Sequence, residues 1–185
     1  MGDQGHRSGP LGALVERVPA GLRGNAQTAL LRAFRVTPAP VRRALVRAGT
    51  PSYTVGAVCA VEHEGAVLFL RQPHRGGWSL PGGLLDRGEA PAPGVEREVR
   101  EETGLRVRVG LPLTALVEPR VRRVDVVYRV VVGERPEVVP GGEARGAAWL
   151  TPEEASRDAD SATRSILAGM AQALADGARD GRLLP

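Results

Sequence analysis

The sequence predicts an α+β domain in which helices pack on a mixed β-sheet. The first observation is the order of its periodic segments, which is β-β-β-α-β-β-β-α along residues 53–175. Neighbouring strands together with strands separated by a helix are typical of a mixed sheet covered by helices. The second observation is the composition: 185 residues, of which 42% are hydrophobic and 25% charged, are enough to bury a core.

We expect residues 1–50 to form a flexible N terminus and a basic helical extension, and residues 51–185 to form the main domain. Residues 1–50 hold eight arginines against Asp3 and Glu16, whereas the remainder has a small excess of acids. A helical pattern over residues 25–47, with a break at 37–40, places arginines opposite an apolar face. The favoured interpretation is a helix packed on the domain with its arginines in solvent. The alternative is a helix that touches a membrane or nucleic acid.

Strands are predicted where β-branched and apolar residues are bounded by glycine, proline and polar residues. In chain order they span residues 53–61, 66–71, 78–80, 105–117, 122–132 and 144–150. The clearest helix spans residues 90–103, with prolines in its first turn and Gly104 after its last residue. Thr151 and Pro152 mark the start of another helix, and residues 161–175 have apolar side chains at helical spacing.

Charge and cysteine content exclude several classes of protein. The single cysteine, Cys59, cannot form an internal disulfide, so we expect a reducing, cytoplasmic environment. No apolar run approaches the roughly 20 residues that cross a bilayer, and membrane association is not expected. The pI of 10.4 reflects the N-terminal arginines, so nucleic acid is not an expected partner of the main domain.

Three glutamates in the 90–103 helix carry the main functional signal. Glu98, Glu101 and Glu102 stand at i, i+3 and i+4, so they share one helix face. Like charges at these spacings destabilise an isolated helix by roughly 0.2–0.5 kcal/mol per pair. A bound Mg²⁺, which prefers a few carboxylates together with substrate phosphates, would offset that cost. Arg97 is placed to orient a carboxylate, and the competing interpretation of the whole set is a solvated acidic face.

The spacing around these glutamates reproduces a known pattern. Gly83 is followed after five residues by Glu89, and after seven more by the run Arg97-Glu98-Val99-Arg100-Glu101-Glu102-Thr103-Gly104-Leu105. This is a complete Nudix box over residues 83–105, and the chain resembles the Nudix (MutT-like) hydrolases. The resemblance implies the Nudix fold, a mixed β-sheet sandwiched between helices. The helical segment within residues 1–50 would be an addition to that fold.

The resemblance also implies roles for the residues of the box. The implied metal ligands for Mg²⁺ or Mn²⁺ are Glu98, Glu101 and Glu102. Glu98 or Glu102 would help to deprotonate water, Arg97 would hold the glutamates, and Glu89 would support the box. Gly82 and Gly83 let the preceding loop run close to the metal-binding helix and the substrate.

Residues outside the box supply further candidates. Glu143, before the strand at 144–150, is the candidate for an additional ligand or base, ahead of Glu118; its alternative is a solvated loop acid. The candidates for binding substrate phosphates follow the second strand and are Arg71, His74 and Arg75. Only six residues are aromatic, and those available for base stacking are Tyr53, Trp78, Tyr128 and Trp149. One departure from the family pattern is Pro93-Gly94, because Gly94 should weaken the helix by about 1 kcal/mol relative to alanine.

The implied activity is divalent-metal-dependent hydrolysis of a pyrophosphate bond in a nucleoside diphosphate linked to another moiety. The substrate could be a nucleoside triphosphate, a nucleotide sugar or a compound of the ADP-ribose type. The sequence is also compatible with a homodimer. The alternative function is a catalytically silent Nudix domain that binds a nucleotide ligand as a sensor or regulator. Such domains often lose box carboxylates, whereas this sequence keeps all of them.

Overall fold

The computed structural model describes residues 32–177. Its elements, in chain order, are α1 (Ala39–Gly49), β1 (Thr54–His63), β2 (Ala66–Arg71), β3 (Trp78–Ser79), β4 (Gly82–Leu84), α2 (Pro91–Thr103), β5 (Thr114–Glu118), β6 (Arg123–Val131), β7 (Gly146–Leu150), α3 (Pro152–Arg157) and α4 (Ser161–Ala175). The predicted α+β class is confirmed.

The chain divides into two compact units, Met1–Ser52 and Tyr53–Pro185. In the described part of the first unit, residues 32–36 are helical and α1 follows after Pro38. Helix α1 has no buried residue. The predicted flexible terminus and residues 25–31 of the first predicted helical piece lie outside the described residues. No helix within residues 32–177 is long and apolar enough to cross a membrane.

The second unit is built on one mixed sheet of seven strands. Its main path is β3-β2-β1-β6-β5, with β4 paired to β1 and β7 paired to β2. The β1–β6 pair is parallel, with Cys59 opposite Tyr128, and the other pairs are antiparallel. One edge of β1 is shared, because β2 pairs with its C-terminal end and β4 pairs with its first half. Strand β4 therefore lies against the centre of the sheet.

Helices cover both faces of this sheet. Side chains from alternate positions of β1, such as Val58 and Ala60, pack with Ile166 and Met170 of α4. The intervening positions, such as Cys59, pack on the other face with residues of α2, the fully buried Val95 and Val99 among them. This alternation of buried side chains is the reason that β1 is a nearly continuous apolar run. The predicted sandwich of a mixed sheet between helices is confirmed.

Strand β4 was not predicted, because Gly82 and Gly83 were expected to lie in a loop. A side chain at Gly82 would place its Cβ 2.2 Å from the carbonyl oxygen of Ala57, and the φ of Gly82 is +140°. Only glycine allows the chain to pair this closely with β1 in that conformation. A sequence pattern that depends on side chains cannot detect such a strand.

The strand predicted over residues 105–117 is shorter than expected and begins only at Thr114. Leu105, Val107 and Val109 do alternate, and they pack on the α2 side of the core. However, the backbone N–H of Val109 donates to the Glu96 carboxylate at 3.0 Å and not to a neighbouring strand. The apolar alternation was therefore a packing pattern without sheet pairing.

Candidate active site

A cavity of about 780 Å³, here called the central cavity, lies between α2, β4 and the loops before β3 and β7. Four glutamates contribute to its wall: Glu98, Glu101, Glu102 and Glu143. The other lining residues are Gln72, His74, Arg75, Gly82, Gly83, Leu84, Arg123, Gly142, Asp160 and Ala162. The structure thus brings together the three box glutamates and the candidate loop acid.

Helix α2 presents its glutamates from a well-anchored position. Proline occupies its N1 position, and Gly104 ends it in the left-handed conformation, with φ at +73°. Val95 and Val99, four residues apart, are buried under the sheet. Glu98 and Glu102 follow the same spacing on the neighbouring stripe, so the packing of the valines points both carboxylates into the central cavity.

Arg97 binds three glutamates at once. Its Nε and Nη2 atoms donate to the two oxygens of Glu89, each at 3.0 Å, and its Nη1 atom donates to Glu98 at 2.8 Å and to Glu101 at 3.2 Å. The bidentate bond from Arg97, with a bond from the Asp86 N–H, lowers the pKa of Glu89 to about 2. The same bond to Glu89 raises the pKa of Arg97. Glu89 therefore fixes the guanidinium that positions Glu98 and Glu101.

Glu102 differs from the other glutamates in being buried, with 6% of its surface exposed. One of its oxygens accepts a hydrogen bond from the Gln72 amide, and the other accepts from the Gly82 N–H at 2.9 Å. Burial raises the pKa of Glu102 to about 7, and the Gly82 bond opposes this shift. Gln72 is itself held by the Ser79 hydroxyl at 3.2 Å. This chain of contacts ties the carboxylate to β3 and β4.

The close approach of β4 to α2 depends on Gly83. A Cβ at this position would lie 2.8 Å from the Glu98 carboxylate. Because real Cβ atoms do not approach other atoms so closely, any side chain here would displace Glu98. The predicted role of Gly82 and Gly83 in bringing this segment close to the helix is consistent with this geometry.

The loop that carries Glu143 is attached to the C-terminal end of α2. The N–H groups of Val139 and Gly141 donate to the carbonyl oxygens of Thr103 and Glu102 at 3.1 and 3.0 Å. These carbonyls belong to the helix end, where no partner exists within the helix. A Cβ at Gly141 would lie 2.6 Å from the Glu101 carbonyl oxygen, so the approach requires glycine. The loop thereby delivers Glu143 to the cavity wall.

Glu143 and His74 meet at the rim of the central cavity. The Nδ1 atom of His74 lies 2.8 Å from a carboxylate oxygen of Glu143, and both side chains are exposed. The contact joins the loop before β3 to the loop before β7. The candidate phosphate-binding histidine thus lies beside the candidate base, a pairing that no sequence pattern predicts because the two residues are far apart in the chain.

The predicted phosphate-binding arginines occupy different positions. Arg75 lines the central cavity; its Nη1 atom lies 3.8 Å from Asp160, and its Nε atom is buried without a hydrogen-bond partner. Arg71 does not line the cavity, because its guanidinium contacts Asp158 and stacks 4.2 Å from the Trp78 ring centroid.

Three polar side chains that line the central cavity were not predicted from the sequence: Gln72, Arg123 and Asp160. Arg123 opens β6 and pairs with Asp125 at 2.7 Å, and Asp160 is the N-cap of α4. The sequence is compatible with Asp160 as a helix N-cap. Its position near the box glutamates, however, depends on long-range packing that the sequence pattern does not reveal. Glu118 does not line the central cavity, and neither do the four candidate stacking aromatics.

The carboxylate oxygens of the central cavity are the type of ligand that a hard divalent cation prefers. No group of three or more His, Cys, Asp or Glu residues within residues 32–177 is gathered closely enough to hold an ion unaided, because Glu98 and Glu101 turn toward Arg97 and Glu102 toward Gln72. This arrangement does not suit a closed zinc site. It does suit Mg²⁺, which binds one or two carboxylates and completes its shell with water and substrate phosphates.

The chain is similar in sequence to several curated proteins. A MutT-like protein of Streptomyces ambofaciens is 40% identical over 97 residues, which make up 52% of this chain and 62% of that protein. The matches span between 30% and 62% of the length of the first curated relatives.

Two solved structures share the fold. The crystal structure of a MutT protein from Methanosarcina mazei Go1 aligns with a TM-score of 0.57 and 22% identity, over 69% of this chain and 97% of that one. A bifunctional NMN adenylyltransferase/ADP ribose pyrophosphatase from Francisella tularensis, complexed with AMP and a Mn ion, aligns with a TM-score of 0.58 and 18% identity. That alignment covers 80% of this chain and 47% of the bifunctional protein.

The family model described as the NUDIX domain matches residues 50–170, which include the complete box, the helix that presents its glutamates and the loop that carries Glu143. The match covers more than half of the chain, and the chain therefore belongs to the Nudix family.

Proposed function

We propose that the protein is a divalent-metal-dependent hydrolase that cleaves the pyrophosphate bond of a nucleoside diphosphate linked to another moiety. The observation that carries this proposal is the convergence of Glu98, Glu101, Glu102 and Glu143 on one cavity. Pyrophosphate hydrolysis requires a site that concentrates metal-binding oxygens and still leaves room for phosphates. The expected partner is therefore a small nucleotide derivative. The cytoplasmic location expected from the single cysteine remains a prediction.

Glu98, Glu101 and Glu102 are the residues that would hold Mg²⁺ or Mn²⁺. When bound, the metal neutralises charge on the phosphate oxygens and lowers the pKa of a bound water. Arg97 keeps Glu98 and Glu101 on the cavity side of α2, and Glu89 keeps Arg97 in place.

Glu143 is the carboxylate best suited to accept the proton of the attacking water. Both oxygens of Glu102 already accept hydrogen bonds from Gln72 and Gly82, and Glu98 is engaged by Arg97. Within residues 32–177, the side-chain polar contact of Glu143 is with the His74 ring, and Glu143 remains exposed at the cavity wall. In the proposed reaction water adds to one phosphorus, the bond from that phosphorus to the bridging oxygen breaks, and two phosphate-bearing products leave.

The test is phosphate or pyrophosphate release from a panel of nucleotide derivatives with Mg²⁺ or Mn²⁺. We expect one substrate class to be hydrolysed, with activity lost in EDTA and restored by added metal. Glu102→Gln should lower kcat by several hundredfold or more, about 3–4 kcal/mol in activation free energy. Glu153→Gln is the matched control, because Glu153 is exposed at the start of α3, outside the central cavity. Tight nucleotide binding without turnover of any compound would instead identify a sensor domain.

A further inference from the structure

Gln72 is a buried polar side chain in the wall of the central cavity, outside the Nudix box. It follows β2 directly and is only 6% exposed. Its amide nitrogen donates to the Glu102 carboxylate, and its amide oxygen accepts from the Ser79 hydroxyl at 3.2 Å. Ser79 and Glu102 are buried as well. Because buried polar groups need partners, this row of three side chains is a connected unit whose members depend on one another.

The two ends of the Gln72 amide are not interchangeable. If the amide were reversed, its oxygen would face an oxygen of ionised Glu102, and two acceptors would meet in a buried place. The Ser79 hydroxyl holds the amide oxygen on the side away from Glu102. Ser79 belongs to β3 and pairs with Leu70 of β2, so the strand pairing fixes where that hydroxyl lies. The sheet therefore aims the donor of Gln72 at Glu102.

Glu102 is held at both of its carboxylate oxygens. Gln72 donates to one oxygen, and the backbone N–H of Gly82 donates to the other at 2.9 Å. Bonds to two different oxygens prevent the carboxylate from turning about its last side-chain bond. An ionised carboxylate has about four acceptor sites, so two remain after these bonds. The remaining sites are thereby held in one orientation beside the central cavity, which Glu102 lines.

The helix positions its glutamates by two different means. Arg97, a cation, bonds to Glu98 and Glu101, whereas Glu102 takes its side-chain donor from the neutral Gln72. A guanidinium beside Glu102 would be costly to bury and would compete with a bound cation for the carboxylate charge. An amide supplies a hydrogen bond and no charge. Gln72 therefore orients Glu102 without cancelling the charge that attracts a cation.

We propose that Gln72 is a positioning residue that orients Glu102 for a divalent cation, and that Ser79 acts through Gln72. This inference rests on the proposed role of Glu102 as a metal ligand. Hydrogen-bond partners of metal ligands set the direction of the ligand, and losing one typically lowers metal affinity or activity by about 10–100-fold. Gln72 is not itself a ligand, because its nitrogen is turned to Glu102 and its oxygen is engaged by Ser79.

The first experiment measures Mn²⁺ binding to the substrate-free protein from the EPR signal of the free ion. Gln72→Met keeps the length of the side chain and removes the amide, so we expect Kd for Mn²⁺ to rise by about tenfold or more. Gln172→Met is the matched control, because Gln172 is exposed on α4 and lies outside the central cavity. It should keep the wild-type Kd. Thermal unfolding without metal establishes that each variant is folded. Equal Kd values for Gln72→Met and the control overturn the inference.

The second experiment tests whether Ser79 acts through Gln72, and it does not depend on Gln72→Met folding. Ser79→Ala should raise Kd for Mn²⁺ by less than Gln72→Met does, because the amide stays but loses its fixed orientation. Adding Ser79→Ala to Gln72→Met should change Kd no further, since no amide is left to hold. A wild-type Kd for Ser79→Ala, or effects that multiply in the double variant, overturns the proposed role of Ser79.

Glu102→Gln separates failure of this inference from failure of the proposed function. If Glu102→Gln weakens Mn²⁺ binding and Gln72→Met does not, only the positioning role fails. If Glu102→Gln binds Mn²⁺ as the wild type does, Glu102 is not a ligand and the proposed metal site fails with the inference. In turnover assays, added Mn²⁺ should restore activity to Gln72→Met, because the defect lies in metal affinity. Activity that no Mn²⁺ concentration restores would indicate a merely structural role for Gln72 and overturn the inference.

Discussion

Replacing Gly94 with alanine separates two ways of predicting stability. Helix propensity alone predicts that Gly94→Ala stabilises α2 by about 1 kcal/mol. The structure predicts the opposite, because a Cβ at Gly94 would lie 2.5 Å from Cδ2 of Leu85 and 3.0 Å from a carboxylate oxygen of Glu89. Leu85 packs on the α2 side of the core, and Glu89 accepts hydrogen bonds from Nε and Nη2 of Arg97. Neither neighbour can move without losing a contact.

The magnitude follows from the two opposing effects. Forcing an extra methyl group into a packed site costs about 1–3 kcal/mol. Subtracting the propensity gain of about 1 kcal/mol leaves a net loss of about 1 kcal/mol. For a domain of this size that loss lowers Tm by about 2–4 °C. The expected result is therefore a small decrease in place of the small increase that propensity predicts.

Thermal and urea unfolding of a double-mutant cycle would locate the cause. Leu85→Ala removes the closest clashing atom, so Gly94→Ala should cost clearly less in the Leu85→Ala background than in the wild-type protein. A higher Tm for Gly94→Ala alone would refute the steric argument. An unchanged cost in the Leu85→Ala background would show that the penalty arises elsewhere, for example at Glu89.

Three further predictions concern the box, an ion pair and the core. Arg97→Lys should lower kcat/KM by about 10–100-fold in metal-dependent assays, since lysine cannot form the bidentate bond to Glu89; near-normal activity would contradict the positioning role. Arg129 lowers the pKa of Glu62, so the pair stabilises the fold above a pH of about 4.5, the ordinary pKa of glutamate, and this contribution is lost as the pH falls through the lowered value. Urea titrations should thus show Glu62→Gln to be less stable than wild type by up to about 1 kcal/mol at pH 7, with the difference vanishing in acid; a constant difference would exclude the ion pair as its cause. Val99→Ala should lower the free energy of unfolding by about 2 kcal/mol because Val99 is fully buried, and a loss below about 0.5 kcal/mol would show that α2 is not packed tightly on the sheet.

The parts of the fold that could be predicted are those in which side chains carry the pattern. Helix α2 could be predicted from its prolines, its apolar spacing and Gly104, and its observed start differs from the prediction by one residue. Strand β4 could not be predicted, because glycine has no side chain and the pairing with β1 joins residues about 25 positions apart. The sequence around β4 has the local pattern of a loop, although its backbone pairs with β1.

The candidate site divides in the same way. The box glutamates and Arg97 are close in sequence, so a helix alone places them on one face. Gln72, Arg123 and Asp160 reach the cavity from three separate segments of the chain, and no spacing rule connects them to α2. Arg71, a predicted phosphate contact, pairs with Asp158 and stacks on Trp78, and its role toward substrate stays a prediction.

The clustered glutamates of α2 repel one another, and a bound metal is one way to offset that repulsion. In the structure Arg97 already neutralises part of that charge, because one guanidinium bonds to Glu89, Glu98 and Glu101. Burial raises the pKa of Glu102 and so favours its neutral, protonated form. The repulsion between Glu98 and Glu102 is therefore also reduced. The helix is consequently compatible with folding before any cation binds. Metal dependence of the proposed activity therefore does not require metal dependence of the fold, and the two can be separated experimentally in a single preparation.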